Sequence, residues 1–112
     1  MYIKNNKYYH LFYVYILAKA RNSTFYVGVT SDLIKRIWEH KHNINCDFTT
    51  RYHVKMFVYY EVYQDAESAI LREKRFKKYN RTWKMRLIES MNPEWKDLYD
   101  DITMAGSPPA RG

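Results

Sequence analysis

A chain of 112 residues is enough for one domain with a real core and little surplus. Its 19 lysines and arginines against 12 acids leave a net charge of +7, which points to polyanionic partners, nucleic acid ahead of an anionic membrane surface. No segment approaches the ~18 apolar residues of a membrane span, and the single cysteine, Cys46, excludes an intrachain disulfide and makes a reducing cytosol the simplest compartment.

The first ten residues, MYIKNNKYYH, are basic and lack the apolar run of a signal peptide, so they read as an N-terminal extension. Residues 11–18 and 24–29 alternate and are rich in aromatic and β-branched types, which predicts two strands joined by the hairpin loop KARNS. One face carries Phe12, Val14, Ile16, Phe25, Val27 and Val29, the expected core. The other carries Tyr13, Tyr15, Tyr26 and Gly28, an aromatic and half-polar face. Residues 31–42 predict a helix capped by Ser31 or Asp32, with Leu33, Ile34, Ile37, Trp38 and Lys41 as its buried stripe. A polar loop, HNINCDFTTRYH, follows. A third strand is expected over 54–63, with Val54, Met56, Val58, Tyr60 and Val62 on one face. Asp65 caps a helix over 65–79. A last helix spans 82–91, with Trp83, Leu87 and Met91 on one side, and Asn92-Pro93 stops it. The fold class is therefore α/β: a small three-stranded, mainly antiparallel sheet flanked by three helices in the order ββαβαα. The domain is expected over 11–99, with a disordered tail over 100–112.

Three features break local rules. Glu73 falls within the apolar stripe of Ala66, Ala69, Ile70 and Phe76, where a carboxylate needs an ion pair, a metal or a catalytic role. Arg36 and His40 lie four apart on one helix face at the edge of the core, a pattern suited to anion binding or proton transfer. Lys35 points further out. Gly28 interrupts a strand, as glycine does where a ligand or another group approaches closely, or at a bulge. The run Lys74, Arg75, Lys77, Lys78, Arg81, Lys84 and Arg86 has the density to hold a phosphate backbone. His40 and His42 do not face each other, and zinc is not expected.

Tyr13-Val14-Tyr15, ten residues, then Tyr26-Val27-Gly28, with Arg36 eight residues on, His40 four further and Glu73 in AILREKRFKK, resembles the GIY-YIG endonuclease superfamily, in particular its small single-domain bacterial type. Tyr13 stands where the family's first tripeptide has glycine. The resemblance implies a metal-dependent phosphodiesterase acting on DNA. Glu73 would be the ligand of Mg²⁺ or Mn²⁺ and Arg36 the stabiliser of phosphoryl charge. Tyr15 comes first and Tyr26 second as the base that activates water, with His40 assisting or taking the proton itself. Gly28, Lys35, Lys77 and Asn92 are expected at the substrate. The setting it implies is cytoplasmic, in DNA repair or defence against mobile elements. Whether a targeting protein acts as partner stays open, and no membrane is expected. The alternative is a nucleic-acid-binding module that keeps the fold and cuts weakly or not at all.

Overall fold

Strand β1 (Phe12–Ala18) is the centre of the molecule, and its sequence explains why. Val14, Tyr15, Ile16, Leu17 and Ala18 are all buried, so the strand must be covered on both faces. The computed structural model describes residues 10–21 and 23–106. In it, β2 (Phe25–Thr30) and β3 (Met56–Tyr63) pair antiparallel to β1 on either side, giving the sheet order β2-β1-β3. On one face Val14, Ile16 and Val27 pack against Ala69, Phe76 and Ile88, as the alternation predicts. The face expected to be half-polar is a second core: Tyr15, Leu17 and Phe57 pack against Leu33, Ile37 and Leu98.

The single face expected for the third strand is broken by a bulge. Ile16 pairs with Tyr59 and Leu17 with Phe57, leaving Val58 as an extra residue. Val58 and Tyr59 consequently both join the first core, while Phe57 and Tyr60 turn to the second. Val62 is exposed.

The three expected helices are α1 (Leu33–Lys41), α3 (Ala66–Lys78) and α4 (Arg81–Met91). Each is capped by a side chain that accepts from a first-turn amide: Asp32 from Lys35 N at 3.2 Å, Asp65 from Ser68 N at 2.7 Å, Asn80 from Trp83 N at 3.0 Å. Their buried faces are rotated from expectation. In α1, Leu33, Ile37 and His40 are buried, whereas Ile34 and Trp38 are each 43% exposed. A histidine can occupy the inward position because both ring nitrogens find partners, described below. In α3, Ala69 and Phe76 are buried and Ile70 is exposed; in α4, Ile88 is buried while Trp83 and Met91 are exposed.

Two short helices were not expected. α2 (Asp47–Tyr52) forms inside the segment read as loop, and α5 (Tyr99–Gly106) inside the segment read as tail. Leu98 and Ile102 close the second core, and Leu98 N donates to Phe57 O at 2.7 Å. Burial of these two side chains is why the chain stays ordered past residue 100; residues 107–112 lie outside the described residues. None of the described helices is long and apolar enough to cross a membrane.

Candidate active site

Tyr15 and Gly28 sit directly opposite each other on β1 and β2. A Cβ built on Gly28 would lie 2.4 Å from both Cζ and the hydroxyl oxygen of Tyr15. The space left by the missing side chain is therefore filled by the Tyr15 ring. Of the two expectations for Gly28, room for substrate or for a neighbouring side chain, this geometry meets the second.

Tyr15 is 1% exposed, and its hydroxyl oxygen lies 2.8 Å from His40 Nε2. His40 is itself fully buried, and its Nδ1 lies 2.8 Å from Thr49 Oγ1, also fully buried. Burial pulls the His40 pKa down to about 4, with Arg36 adding to the effect and Glu39 opposing it, so the imidazole is neutral at pH 7. Arg36 lies close enough to the Tyr15 phenol for its charge to favour the ionised form. The network then has one direction that leaves the buried phenol proton with an acceptor. Tyr15 donates to Nε2, and Nδ1–H donates to Thr49.

Burial pushes the Tyr15 pKa well above the ordinary tyrosine value; Tyr26 adds to this, and Arg36 only partly offsets it. Nothing in the protein itself makes Tyr15 a phenolate. Arg36 is anchored from other sides too. Its Nη1 donates to Glu39 Oε1 at 2.9 Å and its Nη2 to the Asn45 carbonyl at 2.9 Å. Burial works against the guanidinium charge, but the bond to Glu39 and the nearby Tyr15 outweigh it and hold the pKa above its usual value.

Tyr26 lies half-buried on the same sheet face, with ring centroids 6.3 Å from Tyr15, 5.4 Å from His40 and 5.9 Å from Phe48. Tyr15, Tyr26, Arg36 and His40 are thus brought together. Glu73 is on α3, which packs on β1 and β2. Its side chain is 16% exposed and its Oε2 lies 2.9 Å from Lys77 Nζ. Lys35 is exposed on α1. Asn92 is buried, and its amide donates to Val58 O at 3.1 Å and Lys96 O at 2.7 Å while accepting from Lys96 N at 3.0 Å. With both amide hydrogens engaged by backbone, Asn92 ties the turn after α4 to β3 rather than facing a substrate.

Thr49 and Phe48, both on α2, were missed because that helix was read as loop. The signal available was the aromatic pair Phe48 and Tyr52 at i,i+4, whose rings are 4.8 Å apart. For a metal, Glu73 Oε1 has no protein partner among the described residues, and no three His, Cys, Asp or Glu side chains cluster there. One hard oxygen donor without a protein cage fits a cation such as Mg²⁺, which keeps most of its waters, and does not fit zinc.

Residues 11–86 match the model of the GIY-YIG catalytic domain, and the chain belongs to that family; its fold is of nuclease type. Among curated proteins it is similar to a UPF0213 protein of Clostridium perfringens, 32% identical over 92 residues that cover 82% of this chain and 98% of that one. A UPF0213 protein of Listeria monocytogenes is 37% identical over 73 residues, 64% of this chain and 78% of that protein. The solution NMR structure of a UPF0213 protein from Bacillus halodurans has the same fold, with a TM-score of 0.50 at 23% identity over 80% of this chain and 95% of the other.

Proposed function

We propose that this protein is a divalent-metal-dependent DNA endonuclease. The observation that carries the reading is the Arg36–Tyr15–His40–Thr49 network, set by Gly28 against a buried tyrosine. A stable fold has no need of a neutral histidine and an arginine on one buried phenol. Nucleases of this family generally use divalent metals; Mg²⁺ or Mn²⁺ held by Glu73 would supply charge neutralisation at the phosphoryl and leaving oxygens.

The residues divide the remaining work. Arg36 presents its unengaged N–H groups to the phosphoryl oxygens, held in place by Glu39 and Asn45. Tyr26 is half-buried and its hydroxyl has no hydrogen-bond partner among the described residues, so its oxygen, as phenolate once its own proton has passed to solvent, is the group that takes the proton from the attacking water. Tyr15, 1% exposed and shifted up by burial, is better suited to holding Arg36 and His40 than to meeting water. This reverses the order expected for the two tyrosines. His40 stays neutral and accepts a hydrogen bond from the Tyr15 hydroxyl. Lys77 and Lys35, both exposed, contact the flanking backbone.

One observation favours the alternative, a binding module with weak cleavage: Glu73 and Arg36 already have internal counterions in Lys77 and Glu39. Cleavage of supercoiled plasmid, single strands and branched DNA with Mg²⁺, Mn²⁺ or EDTA decides between them. Glu73→Ala and Arg36→Ala are expected to lose roughly 100-fold or more, and Tyr26→Phe to lose more than Tyr15→Phe. Equal cutting by all variants would sink the assignment. Binding without cutting by the wild type would favour the module.

A further inference from the structure

We propose that the end of α3 and the start of α4 form a second docking surface, on which the nucleic-acid backbone flanking the scissile phosphate is held. The proposal rests on the nuclease reading for the identity of the strand, not for its chemistry. Between Lys74 and Ile88 there is no acidic residue. Lys74, Arg75, Lys78, Lys84 and Arg86 have no carboxylate partner among the described residues. Such crowding opposes the fold, since like charges repel. At half-buried Lys84 the pKa is pulled down by burial, with the Arg81 charge adding to it. The protein does not relieve this with acids, although Glu61 neutralises Arg72 one turn earlier.

At the middle of these cations stands Trp83, 52% exposed. Its ring is 5.8 Å from Tyr79 and 5.9 Å from the Arg86 guanidinium. A tryptophan held between an aromatic ring and a cation, yet left half in water, presents a face for a base or sugar, while the surrounding cations suit phosphates. The charge pattern is complementary to a polyphosphate, and its neighbour on α3 is the Glu73–Lys77 pair, one turn away. The surface therefore adjoins Glu73, the residue that would hold the metal under the nuclease reading.

The test uses the full chain and short fluorescein-labelled DNA, without metal, over a range of salt. Lys78→Ala/Arg86→Ala is expected to flatten the slope of log affinity against log salt by about 1.5. Trp83→Ala is expected to weaken binding roughly tenfold. Lys96→Ala, an exposed cation outside the surface, should bind as wild type. Hydrolysis of bis(p-nitrophenyl) phosphate, too small to reach the surface, should be unchanged in the surface variants. Because the substituted side chains are largely exposed, circular dichroism should match wild type. Affinities and slopes equal to wild type in both surface variants would overturn the proposal. So would tighter binding of the wild type to phosphatidylserine vesicles than to DNA, which would make the surface a membrane contact. If surface variants lose DNA binding but the wild type hydrolyses neither DNA nor the small diester, the surface stands and the nuclease reading falls.

Discussion

Each face of the sheet carries a network of tyrosines around an arginine, and the two are built on opposite electrostatic plans. On the α3 side, Glu61 accepts from Tyr59 at 2.5 Å, Tyr63 at 2.6 Å and Arg72 Nε and Nη2 at 3.0 and 3.2 Å. Burial raises the Glu61 pKa, but Arg72 and the two phenols outweigh it and hold the carboxylate ionised below its usual range. Tyr63 is pushed up to about 12, first by burial and then by the Glu61 charge it bonds to. Donors, acceptor and charges are all matched, so the unit is closed. On the α1 side, the group that accepts from tyrosine is a neutral imidazole, and the arginine near the phenol is paired with Glu39. No carboxylate among the described residues touches Tyr15. A closed carboxylate network holds a fold together; a buried phenol beside a neutral base and a cation is the arrangement the nuclease reading proposes for an anionic substrate.

The sharpest way to separate the two is pH. The folded His40 pKa of about 4 lies below the ordinary 6.5, so the unfolded chain takes up a proton first as pH falls. Its stabilising contribution is complete above about pH 6.5 and is lost progressively down to pH 4, a total of about 3 kcal/mol. Glu61, depressed in the folded state, contributes fully above the ordinary carboxylate value and is lost only at lower pH, below about 4.5. Urea unfolding at pH 7 and pH 5 should therefore differ by about 2 kcal/mol in the wild type, with the difference much reduced in His40→Gln. A wild type equally stable at both pH values would contradict the buried neutral imidazole. Next in size is Glu61→Ala, which leaves Arg72 half-buried without its partner. After discount for the solvent that reaches the pair, we expect a loss of about 2 kcal/mol. Cleavage measured well below the melting temperature should be unchanged; a large loss of cleavage would mean the closed network is not merely structural.

The strands, three helices and four of the clustered residues were legible because their signals are local. Tyr15 and Tyr26 follow from period-two alternation, and Arg36 and His40 from helical spacing. What escaped notice depends on partners from another element. Val58 bulges with no glycine to mark it, because β-branched residues suit both covered faces. Glu61 alternates with apolar neighbours as any exposed strand acid would, so its role becomes visible only when Arg72 arrives from α3. Glu73 lies within the helix's apolar spacing in the sequence, yet Ile70 is exposed and the carboxylate sits at the stripe's edge. Thr49 lies on a helix of six residues, too short for a periodic pattern to emerge.

Two smaller substitutions probe how the poised network is held. Gly28→Ala forces the Tyr15 ring aside, because the new methyl would lie 2.4 Å from its hydroxyl oxygen. The expected cost is about 1–3 kcal/mol of stability, with cleavage falling further than stability does because the bond to His40 is lost. Unchanged cleavage by a stable Gly28→Ala protein would show that the placement of Tyr15 does not matter. The smallest effect, and the most specific, belongs to Thr49. Valine keeps the shape but removes the only acceptor of His40 Nδ1–H, leaving a buried donor unpaired at a cost of about 1–2 kcal/mol. The imidazole is then free to turn or to change tautomer, which releases the Tyr15 proton from Nε2. Serine retains the hydroxyl and should restore the network. If Thr49 positions His40, Thr49→Val should shift the pH profile of cleavage and Thr49→Ser should recover it. If Thr49 only fills space, the two variants will share one profile and differ in stability alone, since serine, not valine, leaves the larger void.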